Sequence, residues 1–446
     1  MKYSETTQAT AKFVGIEIPE GLAKRNFYFL YSASFLISML MVFPAVIQPV
    51  FLKEIIGIPD KNAGAINSLL QNMSQIATLF LAGVVGFLSD RFGRRYMLLR
   101  GVIFTGLFFI LFGYSKEIGI ALGIPPQYAI YPLRFLLGVG LIFTWPHLTP
   151  LVADYTFKSS RGKAMAAYGL SMGIGAILAF GILGQLPQLL GIYESFYAVA
   201  IVAFTAALVA KRGIVDRIPE EKKKEKGKFR ELFSLLSKSP SLKASYVATF
   251  VGRADTPILR LLTMVWLVTV AESHGVTPVK ATGFGGLIMM VFALMSMLSN
   301  LITGPLVDKI GRMATLMISM LSSTIGFTIL FTFHNPFSWL ICLPIGLIGF
   351  GMSGVVIGAN TLAADAAPRH LVGTVIGGVN TVQSVGIIIL LQSAGMIRDI
   401  LSVQTAFIFK AVINAFTLLW FIVIKKKCDD ELGLKKPVES SLSAKA

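Results

Sequence analysis

One carboxylate concentrates most of the chemistry this sequence could perform. Of 23 acidic residues, only Asp255 falls in the middle of a long apolar stretch. Its surroundings read Gly252-Arg253-Ala254-Asp255-Thr256-Pro257-Ile258-Leu259-Arg260. A charge held in hydrocarbon costs on the order of 3 kcal/mol, so each needs a reason. Arg253 and Arg260 are seven positions apart and share a helix face. Pro257 cannot donate to the carbonyl of Arg253, so a helix is expected to kink or open there. Broken helices at mid-membrane are places where solutes and ions are held. An acid whose distance to an arginine changes could load and release a proton, which makes Asp255 a candidate proton carrier. The competing reading is an internal Arg–Asp pair that only holds the kink.

Arg134 is the second candidate. It opens Arg134-Phe135-Leu136-Leu137-Gly138-Val139-Gly140, and Trp145 follows eleven residues on, on about the same helix face. A cation beside an indole suits a carboxylate, a phosphate or a flat aromatic anion. An arginine snorkelling to the outer surface is the alternative. His147, on the opposite face, is read as packing. Lys410, near the end of the chain, is read as snorkelling. Tyr31, Ser34, Gln48, Asn300, Asn380 and Gln383 are polar groups within apolar stretches, equally suited to interhelical hydrogen bonds or to solute contacts.

Composition sets the elements that must position these groups. Hydrophobic residues make up 54% of the 446, and only 14% are charged. A soluble chain carries about 25% charged residues. Apolar runs of about 20 residues recur throughout, each able to cross a bilayer as a helix. Backbone groups in lipid must bond within their own segment, so the expected fold is all-α. Twelve spans are read: 27–52, 64–89, 96–115, 127–154, 163–188 and 192–211, then 242–271, 281–307, 313–333, 336–363, 371–396 and 401–424. They divide the chain into a tail (1–26), a six-helix half (27–211), a charged linker (212–241), a second six-helix half (242–424) and a second tail (425–446). Lys425-Lys426-Lys427 is read as the stop of the last span.

The net charge of +17 would suit a nucleic-acid partner in a soluble protein. Here 30 of the 40 Lys and Arg residues lie in the tails, the linker and the loops on one side, against five on the other: Lys53, Lys61, Lys116, Lys280 and Arg398. That asymmetry puts both termini in the cytoplasm and leaves no case for nucleic acid. The two cysteines, Cys342 and Cys428, form no disulfide framework or metal set. No phosphate loop, paired catalytic carboxylates or nucleophile constellation occurs, so neither an enzyme nor a cofactor is expected.

The two halves repeat. Gly86-Phe87-Leu88-Ser89-Asp90-Arg91-Phe92-Gly93-Arg94-Arg95 returns as Gly304-Pro305-Leu306-Val307-Asp308-Lys309-Ile310-Gly311-Arg312, 218 positions on. Asp154 and Gly162 return as Asp365 and Gly373 at an offset of 211, as do Gly138 and Gly140 at Gly349 and Gly351. Gly86 is expected to let two backbones approach, and Gly93 to supply a tight turn. The decapeptide resembles the G-x-L-x-D-R-x-G-R-R/K signature of the major facilitator superfamily. The stretch from Arg134 resembles that family's R-x-x-x-G motif, whose arginine faces a central cavity. The resemblance implies twelve transmembrane helices in two halves around that cavity. It also implies a cytoplasmic brace of Asp90, Arg91, Arg94, Asp154 and Arg161, with a partial second set in Asp308, Arg312, Asp365 and Arg369.

Together these readings predict a monomeric secondary transporter in a bacterial inner membrane. The expected solute is a small organic anion held by Arg134, Trp145, Arg253 and Arg260, with protons as a candidate co-substrate through Asp255. A multidrug or amphiphile/proton antiporter is the alternative. Against it, the first span carries no acid and the fifth has no Gly-Pro pair. A transporter-like sensor or assembly subunit is the third reading.

Overall fold

A computed structural model describes residues 2–3, 9–157, 159–216, 218–219, 229–368 and 370–433. The first half comprises α1 (Lys24–Phe51), α2 (Ala63–Phe92), α3 (Arg94–Gly113), α4 (Ser115–Ala121), α5 (Pro126–Ile142), α6 (Leu148–Asp154), α7 (Arg161–Leu178), α8 (Leu186–Leu189) and α9 (Ile192–Gly213). A short amphipathic helix follows, α10 (Phe229–Lys238). The second half comprises α11 (Pro240–Gly252), α12 (Asp255–Val270), α13 (Pro278–Ile310), α14 (Arg312–Thr332), α15 (Cys342–Ala366), α16 (Val372–Ile400) and α17 (Val403–Glu431). Among the described residues, eleven helical stretches are long and apolar enough to cross a membrane. The stretch expected as the seventh span is instead two shorter helices end to end, α11 and α12.

That break lies where the sequence puts it. Pro257 has no N–H, so the carbonyl of Arg253 loses its partner four residues on. Arg253 and Ala254 keep right-handed helical angles between the two pieces. The break therefore interrupts hydrogen bonding more than it turns the helix.

Three boundaries differ from expectation. The N-terminal tail contains an antiparallel hairpin, β2 (Ala9–Phe13) with β3 (Ile16–Pro19). Phe13, Ile16 and Ile18 are buried, and the Phe13 ring lies 5.5 Å from that of Phe27. Ile16 and Ile18 alternate beside Gly15, a strand signal too short to stand out in a polar segment. A second, two-residue pairing joins β1 (Lys2–Tyr3) to β4 (Ile218–Pro219) in parallel. The last helix does not stop at Lys425 but runs on to Glu431. Lysine is a good helix former, and a helix need not end where the membrane does. The charged run of the linker, Glu220 to Lys226, lies outside the described residues.

The halves meet where α2 packs along α16, α1 against α12, and α7 against α13. Both corners use the same backbone. Gly93 ends α2 at φ 97° and Gly311 ends α13 at φ 89°, conformations that essentially only glycine adopts freely.

Candidate functional site

Asp255 is the first residue of α12 and fully buried, where the dipole of the new helix favours a carboxylate. Its ion-pair partner is Lys410 of α17, also fully buried. Asn414, one turn further along α17, donates to both carboxylate oxygens at 3.2 and 3.3 Å and accepts from Lys410. Lys410 therefore does not snorkel. A buried acid needs a counter-charge, and α17 turns its one interior lysine toward it. Neither Arg253 nor Arg260 pairs with Asp255, so the expected Arg–Asp pair is absent among the described residues. Arg260 lies five positions on, about 140° round the helix at 100° per residue. Its Nε is buried without a hydrogen-bond partner.

Arg134 is 1% exposed and, among the described residues, held by neutral acceptors alone: Gln48 at 3.2 Å, Ser74 at 2.8 Å and Gln71 at 3.2 Å. Gln48 was a sequence candidate; Gln71 and Ser74 were not. Their signal is the polar run Gln71-Asn72-Met73-Ser74-Gln75 inside an apolar span. Trp145 is not brought to Arg134. Helix α5 ends at Ile142 and a single 3₁₀ turn begins at Trp145, so a projection along one continuous helix fails. His147 is 3% exposed, as packing predicts, but its Nε2 has no partner. It lines a cleft of about 160 Å³ with Gly86, Ser89, Asp90, Arg94 and Pro146.

The brace residues gather at the two corners. Arg94 forms an ion pair with Asp154, and Arg312 pairs with Asp365 at 2.7 Å. These are the same pair in two copies, at the offsets the repeat gives. Arg161 joins no carboxylate among the described residues; it donates to the Ala153 carbonyl at 3.4 Å. Arg91 sits over its neighbour Phe92, and Asp308 is exposed. Arg369 lies outside the described residues. Gly86 is not a close approach, nor is Gly304: a β-carbon at either would meet nothing within 4 Å among the described residues. The interhelical contact is made at the far ends of the helices, where α2 and α16 meet across Gly64 and Gly395.

That far end carries a polar cluster the sequence did not suggest. Asp399, late in α16, accepts from the Gly64 and Ala65 amides at 2.7 Å each and so caps α2. Arg398 donates to Thr269 at 2.8 Å and to the Asp60 carbonyl. Lys53 lies 3.2 Å from Asp60 and 3.7 Å from Glu272. These contacts tie one half to the other.

The model of the Major Facilitator Superfamily matches residues 30–391 and 258–444. Magnetosome protein MamH of Paramagnetospirillum magneticum is 28% identical over 415 residues, covering 93% of this chain and 96% of the relative. Magnetosome protein MamZ of the same organism is 26% identical, covering 88% of this chain and 62% of the relative. The multi-drug resistance efflux pump PmrA of Streptococcus pneumoniae is 26% identical over 72% of this chain and 76% of its own length. Among solved structures, a POT family transporter in complex with 5-aminolevulinic acid superposes with a TM-score of 0.73 at 12% identity, covering 96% of this chain and all of the other. The nucleoside transporter NupG gives 0.68 at 13% identity, covering 90% of this chain and 99% of the other. With two helical halves, paired corners and a family match along nearly its whole length, the chain belongs to the major facilitator superfamily of membrane transporters.

Proposed function

We propose that this protein moves a small organic anion by alternating access between two six-helix halves, with α11 and α12 together as one of twelve crossings. One observation carries the reading. Arg134, Arg253 and Arg260 have no carboxylate partner among the described residues, whereas the one mid-span acid is neutralised by Lys410. Arg134 is buried and Arg253 and Arg260 are half-buried. An arginine held away from water without a counter-ion is costly, and an anionic solute would supply one. The corners would brace the cytoplasmic side, and the Asp399 cluster the outer side, each opening in turn.

Asp255 is the group we assign to proton coupling, with Lys410 in place of an arginine as its exchange partner. Protonating Asp255 would free Lys410, and deprotonation would restore the pair. Asp255→Asn alone should destabilise the protein by about 3–5 kcal/mol because it leaves Lys410 uncompensated. Asp255→Asn with Lys410→Met should recover most of that loss. Transport that keeps its pH dependence in the double variant would remove the proton role.

The test of the anion reading is thermal stability of the purified protein with succinate, citrate or tetraphenylphosphonium at pH 6 and pH 8. A ligand at 100 times its Kd adds about 2.7 kcal/mol. Stabilisation by the carboxylates, lost in Arg260→Gln and Arg134→Gln, is the expected result. Stabilisation by tetraphenylphosphonium alone would favour multidrug efflux, the second reading. The similarity to PmrA supports that reading. Against it, a cationic drug would have to compete with Lys410 for the one mid-span acid.

A further inference from the structure

The broken helix carries more polar groups than its charges. Thr249, Arg253, Thr256, Arg260 and Thr263 recur at intervals of four, three, four and three, which is one face of a helix. Arg253 and Ala254 keep helical angles through the break, so the face continues from α11 into α12. Asp255 lies about 100° off it, turned to α17.

The three threonines are 1%, 8% and 0% exposed, and none of their hydroxyls has a hydrogen-bond partner among the described residues. This sets them apart from the other buried threonines, although five buried serine hydroxyls also lack a partner among the described residues. A buried helical threonine normally donates back to the carbonyl of the preceding turn. Thr105, Thr282, Thr315 and Thr417 do so at 2.8, 3.0, 2.9 and 2.9 Å. Buried polar groups left unpaired call for an explanation, and here three fall on one stripe with the unpartnered Nε of Arg260. Every functional group on the stripe can donate. None is an acid.

We propose that this stripe is the solute-binding face of the second half, and that Thr256, between the two arginines, and Thr249 and Thr263, flanking them, bind the solute's oxygens. The inference rests on the organic-anion reading and narrows it to an acceptor-rich oxyanion. Arg253 and Arg260 are separated by about 10 Å along the axis at 1.5 Å per residue. An anion with acidic groups at both ends spans the two cations, whereas a monoanion occupies one at a time. Dianions of extended shape are therefore preferred, and the axis of the stripe is the direction of travel.

The experiment measures binding of adipate, succinate and butyrate to the purified full-length protein by thermal shift. The variants are Thr256→Val and Thr263→Val, each with its Thr→Ser counterpart, and Arg260→Gln. Valine keeps the shape and removes the hydroxyl. The expected result is an adipate Kd raised about tenfold in each valine variant and restored by serine, with the ligand-free melting temperature not lowered. Adipate should bind more tightly than butyrate in the wild type. If the valine variants bind adipate as the wild type does while Arg260→Gln does not, the stripe is wrong and the anion reading stands. Valine variants that melt lower without ligand, and recover with serine, would make the hydroxyls structural and overturn the proposal. If none of the three anions stabilises the wild type, the anion reading itself fails.

Discussion

The two corners are built from the same residues and serve in unequal settings. Both turn on a glycine with the same backbone, at φ 97° and 89°, and both hold an arginine–aspartate pair. The first corner is enclosed. Asp216, just after α9, accepts the Arg95 amide at 2.8 Å, and its carboxylate occupies the space where a β-carbon of Gly93 would stand. Arg95 in turn donates to the Lys211 carbonyl at 2.7 Å. Among the described residues, the second corner has nothing within 4 Å of the equivalent point on Gly311. The side chains follow: Asp154 is 7% exposed and Asp365 39%. Duplication supplied the turn and the ion pair. The start of the linker reaches back to the first copy, so among the described residues a shared turn is tethered on one side and open on the other.

The sharpest way to break this comparison is to add one carbon to each turn. Gly93→Ala should cost about 4 kcal/mol, because strain of about 1–3 kcal/mol is joined by loss of a charged hydrogen bond. Gly311→Ala meets the strain alone, about 2 kcal/mol. Equal drops in melting temperature would mean that Asp216 contributes nothing. Next in size is the ion pair. Asp154→Asn should cost about 3 kcal/mol as a largely buried pair, and Asp365→Asn less than about 1 kcal/mol as an exposed one. Asp216→Asn keeps an acceptor and loses the charge, so about 1 kcal/mol is expected, seen as faster amide exchange in the first turn of α3. The smallest effect belongs to the residues the motif stresses most. Gly86→Ala and Gly304→Ala should leave stability unchanged or raise it by up to about 1 kcal/mol, since alanine suits a helix better and meets no neighbour. A fall in transport without a fall in stability would mean that other helices close on these positions during the cycle.

The sequence by itself determined whatever depends on near neighbours. Apolar length and scarcity of charge dictate membrane helices. Glycine at 93 and 311 dictates the turns. Pro257 dictates the break, because a missing N–H acts four residues away along the same chain. Internal repetition dictates that an arginine–aspartate pair found at one corner returns at the other. Tertiary structure alone decided the partners that have no repeat mate and lie far apart. Lys410 and Asn414 find Asp255 across about 155 positions, and Asp399 caps α2 from 335 positions away. Arg134 finds Gln71 and Ser74 on another helix, not the tryptophan down its own. The unpaired threonines were visible as letters at heptad spacing, but that their hydroxyls lack partners is a fact about packing. A buried charge or hydroxyl takes whatever partner the folded bundle brings within 3 Å or so, and spacing along the chain constrains that choice only within one helix.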